Sequence, residues 1–326
     1  MKRAVILKSV FAAVLAACLP LNTAFAQNKS YPERPVRFIL GFPAGGASDI
    51  LGRAVAQNIS ERWGQQIVVD NRPGATGVIA STLAAQATPD GYTILLISSS
   101  YTNSAILKKK LPFNPFKDLV PVSKAAIVPN IAVVYPSLPV KSIQDLIGYA
   151  KSHPGKVNYA SGGAGTGTHL ATELLKMMTG IDLVHIPYKG TPPALTDIMA
   201  GRVQLMLAGA PPTLPHVRSG KLRAIAVTSA KRSPSLPDTP AIAETVPGYE
   251  ATTWYGVMVP AKTPKKIIAT LNSQIAQALK SPDVLKTLSR AGFEAESSSP
   301  EDFLAFMKME FAKWSKVVKA AHITAD

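Results

Sequence analysis

The sequence predicts an α/β fold. Two observations carry that reading. Short β-branched runs alternate with amphipathic segments of helical period along most of the chain. Two glycine-rich loops stand at equivalent points, each between a strand and a helix.

Taken in order, Val36-Arg37-Phe38-Ile39-Leu40 is a predicted buried strand. The Gly/Pro loop 41–48 leads into a helix over 49–63, in which Ile50, Leu51, Ala54, Val55, Asn58 and Ile59 keep close to a 3.6-residue period until Gly64 stops it. Residues 67–69 are the next strand, 71–74 a turn, 78–87 a helix, 89–91 a turn and 92–97 a third strand. Right-handed crossovers make the sheet of this β-α-β-α-β unit parallel.

The alternation then repeats without a repeat in sequence. The expected elements are a strand over 131–135, a helix over 142–152, a strand over 157–160, the loop 161–166, a helix over 168–178, a strand over 182–186, a helix over 193–200, and strands over 203–207 and 222–228. Ser142 caps its helix, with Asp145 three residues on. Residues 233–247 are a proline-rich surface loop, 254–259 a strand and 264–280 a helix with Ile267, Ile268, Leu271, Ile275 and Leu279 on one side. Ser299-Pro300-Glu301-Asp302 combines a Ser cap, a proline in the first turn and acids beside it, which starts the last helix. Phe303, Phe306, Met307, Phe311, Trp314, Val317 and Val318 form its apolar stripe, a packing face. Two β/α units of about 100 residues suggest two lobes. The C-terminal helices are expected to return to the first, so lobe 1 comprises 27–124 plus 229–326 and lobe 2 comprises 125–228.

The N-terminus reads as a targeting segment. Met1-Lys2-Arg3 is basic, 4–19 is mostly apolar but broken by Lys8 and Ser9, and Ala24-Phe25-Ala26 supplies small residues for cleavage before Gln27. The expected signal peptide is 1–26 and the destination the periplasm. A rival is lipidation at Cys18, because Leu15-Ala16-Ala17-Cys18 resembles a lipobox. Cys18 is the only cysteine, so cleavage after Ala26 leaves a protein that relies on its core rather than on disulfides. No later stretch approaches 18 uninterrupted apolar residues, which predicts a soluble mature protein. The formal charge is +15, of which Lys2, Arg3 and Lys8 contribute three, leaving +12. That bias favours anionic partners. It does not point to nucleic acid, because the cations are dispersed and the chain is exported.

The loops are where chemistry is expected. The first is Gly41-Phe42-Pro43-Ala44-Gly45-Gly46-Ala47-Ser48-Asp49 and the second Ser161-Gly162-Gly163-Ala164-Gly165-Thr166-Gly167-Thr168-His169. Such loops bring unshielded N–H groups to the positive end of a helix, where an anion is held without a buried cation. Ser161, Thr166 and Thr168 add hydroxyls. The bland reading makes each a tight turn. Neither fits G-x-G-x-x-G, and no Walker motif is present. Enzyme signals are poor: no G-x-S-x-G occurs, and His153, His169, His185, His216 and His322 show no short metal-ligand spacing. No cofactor or metal is expected. His169 either meets a ligand or orients its loop. Asp49 either binds an amine or sits at a helix N-terminus. Phe42 and Trp254 either wall a pocket or belong to the core.

The runs Tyr-Pro-x-Arg-Pro-Val-Arg from Tyr31, Phe42-Pro-Ala-Gly-Gly-Ala-Ser-Asp49, Asn71-Arg-Pro-Gly74, Pro89-Asp-Gly-Tyr92, Asn158-Tyr-Ala-Ser-Gly162, His185-Ile-Pro-Tyr-Lys-Gly190 and Leu222-Arg-Ala-Ile-Ala-Val-Thr228 resemble the Bug family. These proteins are the substrate-binding receptors of tripartite tricarboxylate transporters. The resemblance spans the mature chain. It implies a type II periplasmic-binding-protein fold, with two lobes of β-sheet flanked by helices and a ligand cleft between them. It also implies a monomeric, non-enzymatic receptor that takes a small organic carboxylate and meets membrane transporter subunits. The implied ligand-binding residues are Phe42, Ala44, Gly45, Gly46, Ser48 and Asp49 of the first loop and Ser161, Gly162, Gly165, Thr166 and His169 of the second. Ser99 and Tyr101 from 98–101, Ala210 from 208–210, and Trp254 complete the set. Ala208-Gly209-Ala210-Pro211 departs from the Asp-Asn of many members, which allows a less polar far end of the ligand. The alternatives are a ligand sensor docking on a signalling protein and a periplasmic hydrolase.

Overall fold

The computed structural model describes residues 31–108, 110–320 and 323. The signal peptide, the lipobox at Cys18 and His322 lie outside the described residues. The chain divides into two compact units, Met1–Glu33 and Arg34–Asp326. The strands and helices of the described residues lie within the second unit.

β1 (Val36–Leu40) and α1 (Ala47–Trp63) open it, followed by β2 (Ile67–Asn71), α2 (Val78–Ala85), β3 (Thr93–Ser98) and α3 (Ser100–Leu107). β1 runs parallel to both β2 and β3, the pairing that β-α-β connections give. Gly52 on α1 lies so close to Leu40 that a Cβ there would clash with its side chain, which seats α1 tightly on β1. α3 has no counterpart among the expected elements; its start, Ser99-Ser100-Tyr101-Thr102, lacks an apolar helical stripe.

β4 (Leu119–Val134) is one 16-residue strand where the sequence suggests only 131–135. Its register against its antiparallel neighbour shifts between Pro121 and Ser123 and again between Lys124 and Ala126. Bulges of this kind accommodate a proline and break the period-2 pattern that reveals a strand. Lys124 is buried within it, paired with Glu296 at 2.9 Å and lying 3.9 Å over the Phe306 ring. After β4 come α4 (Ile143–Ser152), β5 (Asn158–Ser161), α5 (Gly167–Thr179), β6 (Val184–Pro187), α6 (Thr191–Met199), β7 (Leu205–Gly209), α7 (Ala210–Arg218) and β8 (Arg223–Val227). Ser142 does cap α4, its Oγ accepting from Asp145 N at 3.0 Å. The chain then forms β9 (Thr252–Pro260), α8 (Lys265–Lys280), α9 (Pro282–Arg290), the short β10 (Glu294–Ala295) and α10 (Pro300–Ala320).

The strands join in one mixed ten-stranded sheet ordered β2-β1-β3-β9-β4-β7-β5-β6, with β8 and β10 also on β4. β4 is the seam. Its first part pairs β9 antiparallel as far as Pro129, and 130–134 pair β7 and β8 antiparallel. Two apolar clusters flank the two sections. One gathers Ile39, Leu95, Ile97, Tyr101 and Trp254; the other gathers Val134, Leu146, Tyr159, Leu170 and Leu205. α10 serves both, giving Phe303 and Met307 to the first and Trp314, Val317 and Val318 to the second. Its apolar stripe is long enough to pack on the first section and to reach past the seam to the second. No helix among the described residues is long and apolar enough to cross a membrane.

Candidate functional site

The first loop is held open by a polar frame beneath it. Asp49 accepts from Gly45 N at 3.0 Å and from Arg53 Nε at 2.9 Å. Arg53 also donates to Asn71 Oδ1, and Asn71 Nδ2 donates to the Phe42 carbonyl at 3.0 Å. Burial would raise the Asp49 pKa, but hydrogen bonds from Arg53, Gly45 N–H and Asn71, with the Arg53 charge, hold it below its ordinary value. Gly45 has φ of +77°, a conformation that glycine adopts without strain. Asp49 therefore shapes the loop.

The second loop is tied by its own hydroxyls. Gly162 N donates to Thr168 Oγ1 at 2.9 Å, and Thr166 Oγ1 donates to the Gly163 carbonyl at 2.8 Å. Thr166 and Thr168 hydroxyls lie 2.9 Å apart. Ser161 Oγ accepts from Gly163 N at 3.1 Å and lies 2.7 Å from His185 Nε2. The sequence suggests that these hydroxyls serve a ligand; in the structure they are occupied in fixing the turn. His169 Nδ1 accepts from Gly165 N at 3.0 Å, so its proton sits on Nε2. Its ring stacks on His185 with centroids 4.0 Å apart and 8° between planes. Burial, then the neighbouring His185, push its pKa down to about 4. His169 orients the loop from behind, the second of its two readings.

The loops meet at a cavity of about 60 Å³, which opens beside a larger recess of about 590 Å³ that shares Phe42, Pro43, Gly162 and Gly190. Of the residues named from the sequence, Phe42, Gly46, Ser48, Gly162 and Thr166 stand on the cavity wall. Ala44, Gly45, Gly165 and Ser161 belong to the loops but not to the wall. Ser99 is buried behind it, with Oγ lacking a hydrogen-bond partner. Three residues are corrected. Tyr101 points into the core, stacked on Phe113, with its hydroxyl donating to the Pro115 carbonyl. Trp254 is also core: it packs edge-on against Phe303 and Phe306 and donates Nε1–H to Glu310 at 3.2 Å. Ala210 is buried near Gly292, and its neighbours Gly209 and Pro212 reach the cavity instead.

Reasoning from sequence missed Asn130, Thr191, Pro192, Thr253 and Tyr255 on the wall. Strand alternation carried a signal for two of them, because a strand that turns Trp254 to the core turns Thr253 and Tyr255 the other way.

Five helices start on this wall. They are α1 after Gly46, α3 after Ser99, α5 after Thr166, α6 after Gly190 and α7 after Gly209. Four of the five have no side-chain cap, and at three the cap position is glycine. First-turn N–H groups have no partner within their own helix, and each helix start is positive. Among the described residues, no Lys, Arg, His, Asp or Glu lines the cavity. The cavity wall thus offers an anion the positive ends of helices rather than charged side chains, the condition for binding an anion at a helix N-terminus, while Lys189 lines the adjoining recess.

The tripartite tricarboxylate transporter family receptor model matches residues 51–323. The chain belongs to that receptor family. Three solved structures are similar to the receptor along nearly their whole length. R. palustris Rpa4515 with adipate is 39% identical, covers 90% of this chain and 99% of its own, and superposes with a TM-score of 0.88. The periplasmic binding protein BugD is 33% identical, with 91% and 100% covered and a TM-score of 0.86. MatC from Rhodopseudomonas palustris with bound malate is 29% identical, with 88% and 100% covered and a TM-score of 0.83. The receptor therefore has the α/β fold of periplasmic solute-binding proteins, a curled mixed sheet flanked by helices.

Proposed function

We propose that this receptor takes a small organic carboxylate into the cavity between its glycine-rich loops and delivers it to a tripartite tricarboxylate-type transporter without chemical change. The observation that carries the reading is the meeting of five helix starts on a wall without a single acidic or basic side chain. A carboxylate there exchanges water for oriented N–H donors, and charge-assisted bonds to an anion are about twice as strong as neutral ones. The adipate and malate bound by two of the similar proteins are both small organic dicarboxylates.

In this reading the contacts come from Gly46 and Ser48 on one side and Gly162, Gly167 and Thr168 on the other. Residues 27–124 plus 229–326 and residues 125–228 move as two lobes, and ligand shifts them toward the closed form by its higher affinity for it. The 1–26 segment exports the chain to the periplasm, where it acts as a monomer. A hydrolase would need an accessible nucleophile, and Ser161 beside His185 is buried, with its hydroxyl tied to Gly163.

A thermal-shift screen of the purified protein against carboxylates and the matching primary amides tests this. A carboxylate at 100 times its Kd should stabilise the native state by about 2.7 kcal/mol and raise Tm clearly, with the amides inert. No shift with any carboxylate would overturn the reading.

A further inference from the structure

We infer that the cavity is built for a ligand with a single carboxylate and an uncharged far end. This rests on the carboxylate reading above and narrows it.

The five helix starts are not equivalent. α1, α3 and α5 begin Ala-Ser-Asp, Ser-Tyr-Thr and Gly-Thr-His, and every residue in those first turns keeps its N–H. α6 and α7 begin Thr-Pro-Pro and Ala-Pro-Pro. Proline has no N–H, so Pro192, Pro193, Pro211 and Pro212 remove four of the donors those two starts would otherwise hold. Pro192 and Pro212 both stand on the cavity wall, and Phe42 and Pro43 join them there. The donors needed by an anion are concentrated at α1, α3 and α5, while α6 and α7 contribute rings.

Among the described residues, the rest of the wall offers a second negative charge only neutral groups. Asn130 is the one amide side chain among the described residues of the wall; one of its Nδ2 N–H groups is taken by the Ala251 carbonyl at 3.3 Å, and Oδ1 accepts from Thr253 Oγ1 at 3.4 Å. Thr191 and Tyr255 offer neutral hydroxyls, which can serve a hydroxyl, carbonyl or ether. Inside the cavity a second carboxylate would lose its hydration against proline and phenylalanine rings with no cationic side chain on the wall to meet it, Lys189 standing outside in the adjoining recess, and burying an unpaired charge is strongly unfavourable.

Matched pairs separate this inference from the one it rests on. Isothermal titration calorimetry of the purified protein at pH 7 would compare butanoate with succinate, pentanoate with glutarate, hexanoate with adipate, and benzoate with terephthalate. At whichever skeleton binds best, the monocarboxylate should bind at least tenfold tighter than its dicarboxylate. A dicarboxylate that binds equally or tighter would overturn the inference and leave the carboxylate reading standing; no binding in any pair would overturn both. Pro212→Lys, which sets an ammonium on the proline side, should move the ratio toward the dicarboxylate by tenfold or more. An unmoved ratio in a variant with wild-type Tm would also count against it.

Discussion

Thr76 Oγ1 donates to the carbonyl of Ala164 at 3.2 Å. This bond joins the loop before α2 to the glycine-rich loop after β5, directly beside the recess that leads to the cavity. Thr76 makes it from φ of +60°, and Ala75 beside it has φ of +46°. Non-glycine residues held there cost of order 1–3 kcal/mol each. The pair is a strained contact at the place where closure over a ligand is proposed.

Thr76→Val keeps the shape and the β-branch while deleting the donor. One hydrogen bond contributes about 0.5–1.5 kcal/mol, so Kd for the best carboxylate should rise roughly two- to tenfold. The ligand-free Tm should hardly move. Calorimetry of the variant beside the wild type checks both, and an unchanged Kd would remove the latch role.

Gly167 is the first residue of α5, and a Cβ there would lie 2.8 Å from both Ser99 Oγ and Thr253 Oγ1. Those partners belong to the other section of the sheet. Gly167→Ala should therefore hinder closure more than folding. Ligand affinity should fall tenfold or more, with a loss of about 1 kcal/mol or less in unfolding free energy, the low end for overpacking. Urea titration and calorimetry on the same preparation distinguish the two effects.

The His169 pKa, lowered to about 4 from 6.5 by burial and by His185, makes stability depend on pH. The unfolded chain binds the proton first. The contribution is complete above about pH 6.5 and is lost as pH falls toward 4, and a shift of this size corresponds to about 3 kcal/mol. Protonation would also take away the lone pair that accepts from Gly165 N–H, loosening the second loop. In His169→Gln, whose amide oxygen can still accept, the fall in Tm between pH 7 and 4.5 should be shallower. An identical slope would contradict the assignment.

Glu310 accepts from Trp254 Nε1 at 3.2 Å and from Trp314 Nε1 at 2.9 Å, both at Oε2. One carboxylate oxygen thereby ties the two apolar clusters served by α10. Glu310→Leu would leave two buried indole N–H groups without an acceptor and should cost about 2–5 kcal/mol, while Glu310→Gln keeps an acceptor and should cost less than half as much. Chemical denaturation of the two variants measures the difference.

Much of this fold is legible in the sequence because local chemistry and global architecture agree there. β1 and its glycine-rich loop are marked by a β-branched run followed by glycines, and Ser142 and Ser299 announce their helices by capping. The illegible parts share a cause. β4 is hidden by Pro121, Ser123 and Lys124, whose places are set by bulges and by the partner Glu296, distant in sequence. Tyr101 and Trp254 read as cleft residues in sequence yet lie in the core, since an isolated aromatic does not reveal which face of its element is buried. The start of α6 escapes a sequence reading as part of the site because Thr191-Pro-Pro converges with the two loops only through the sheet order.

A crystal structure of the protein with its tightest carboxylate bound would show where the anion sits. Carboxylate oxygens are expected within hydrogen-bond distance of backbone N–H groups at Ala47 or Ser48 and at Gly167 or Thr168, with no Lys or Arg side chain in contact. A carboxylate held by a cationic side chain, or bound away from the starts of α1 and α5, would contradict recognition by helix dipoles alone.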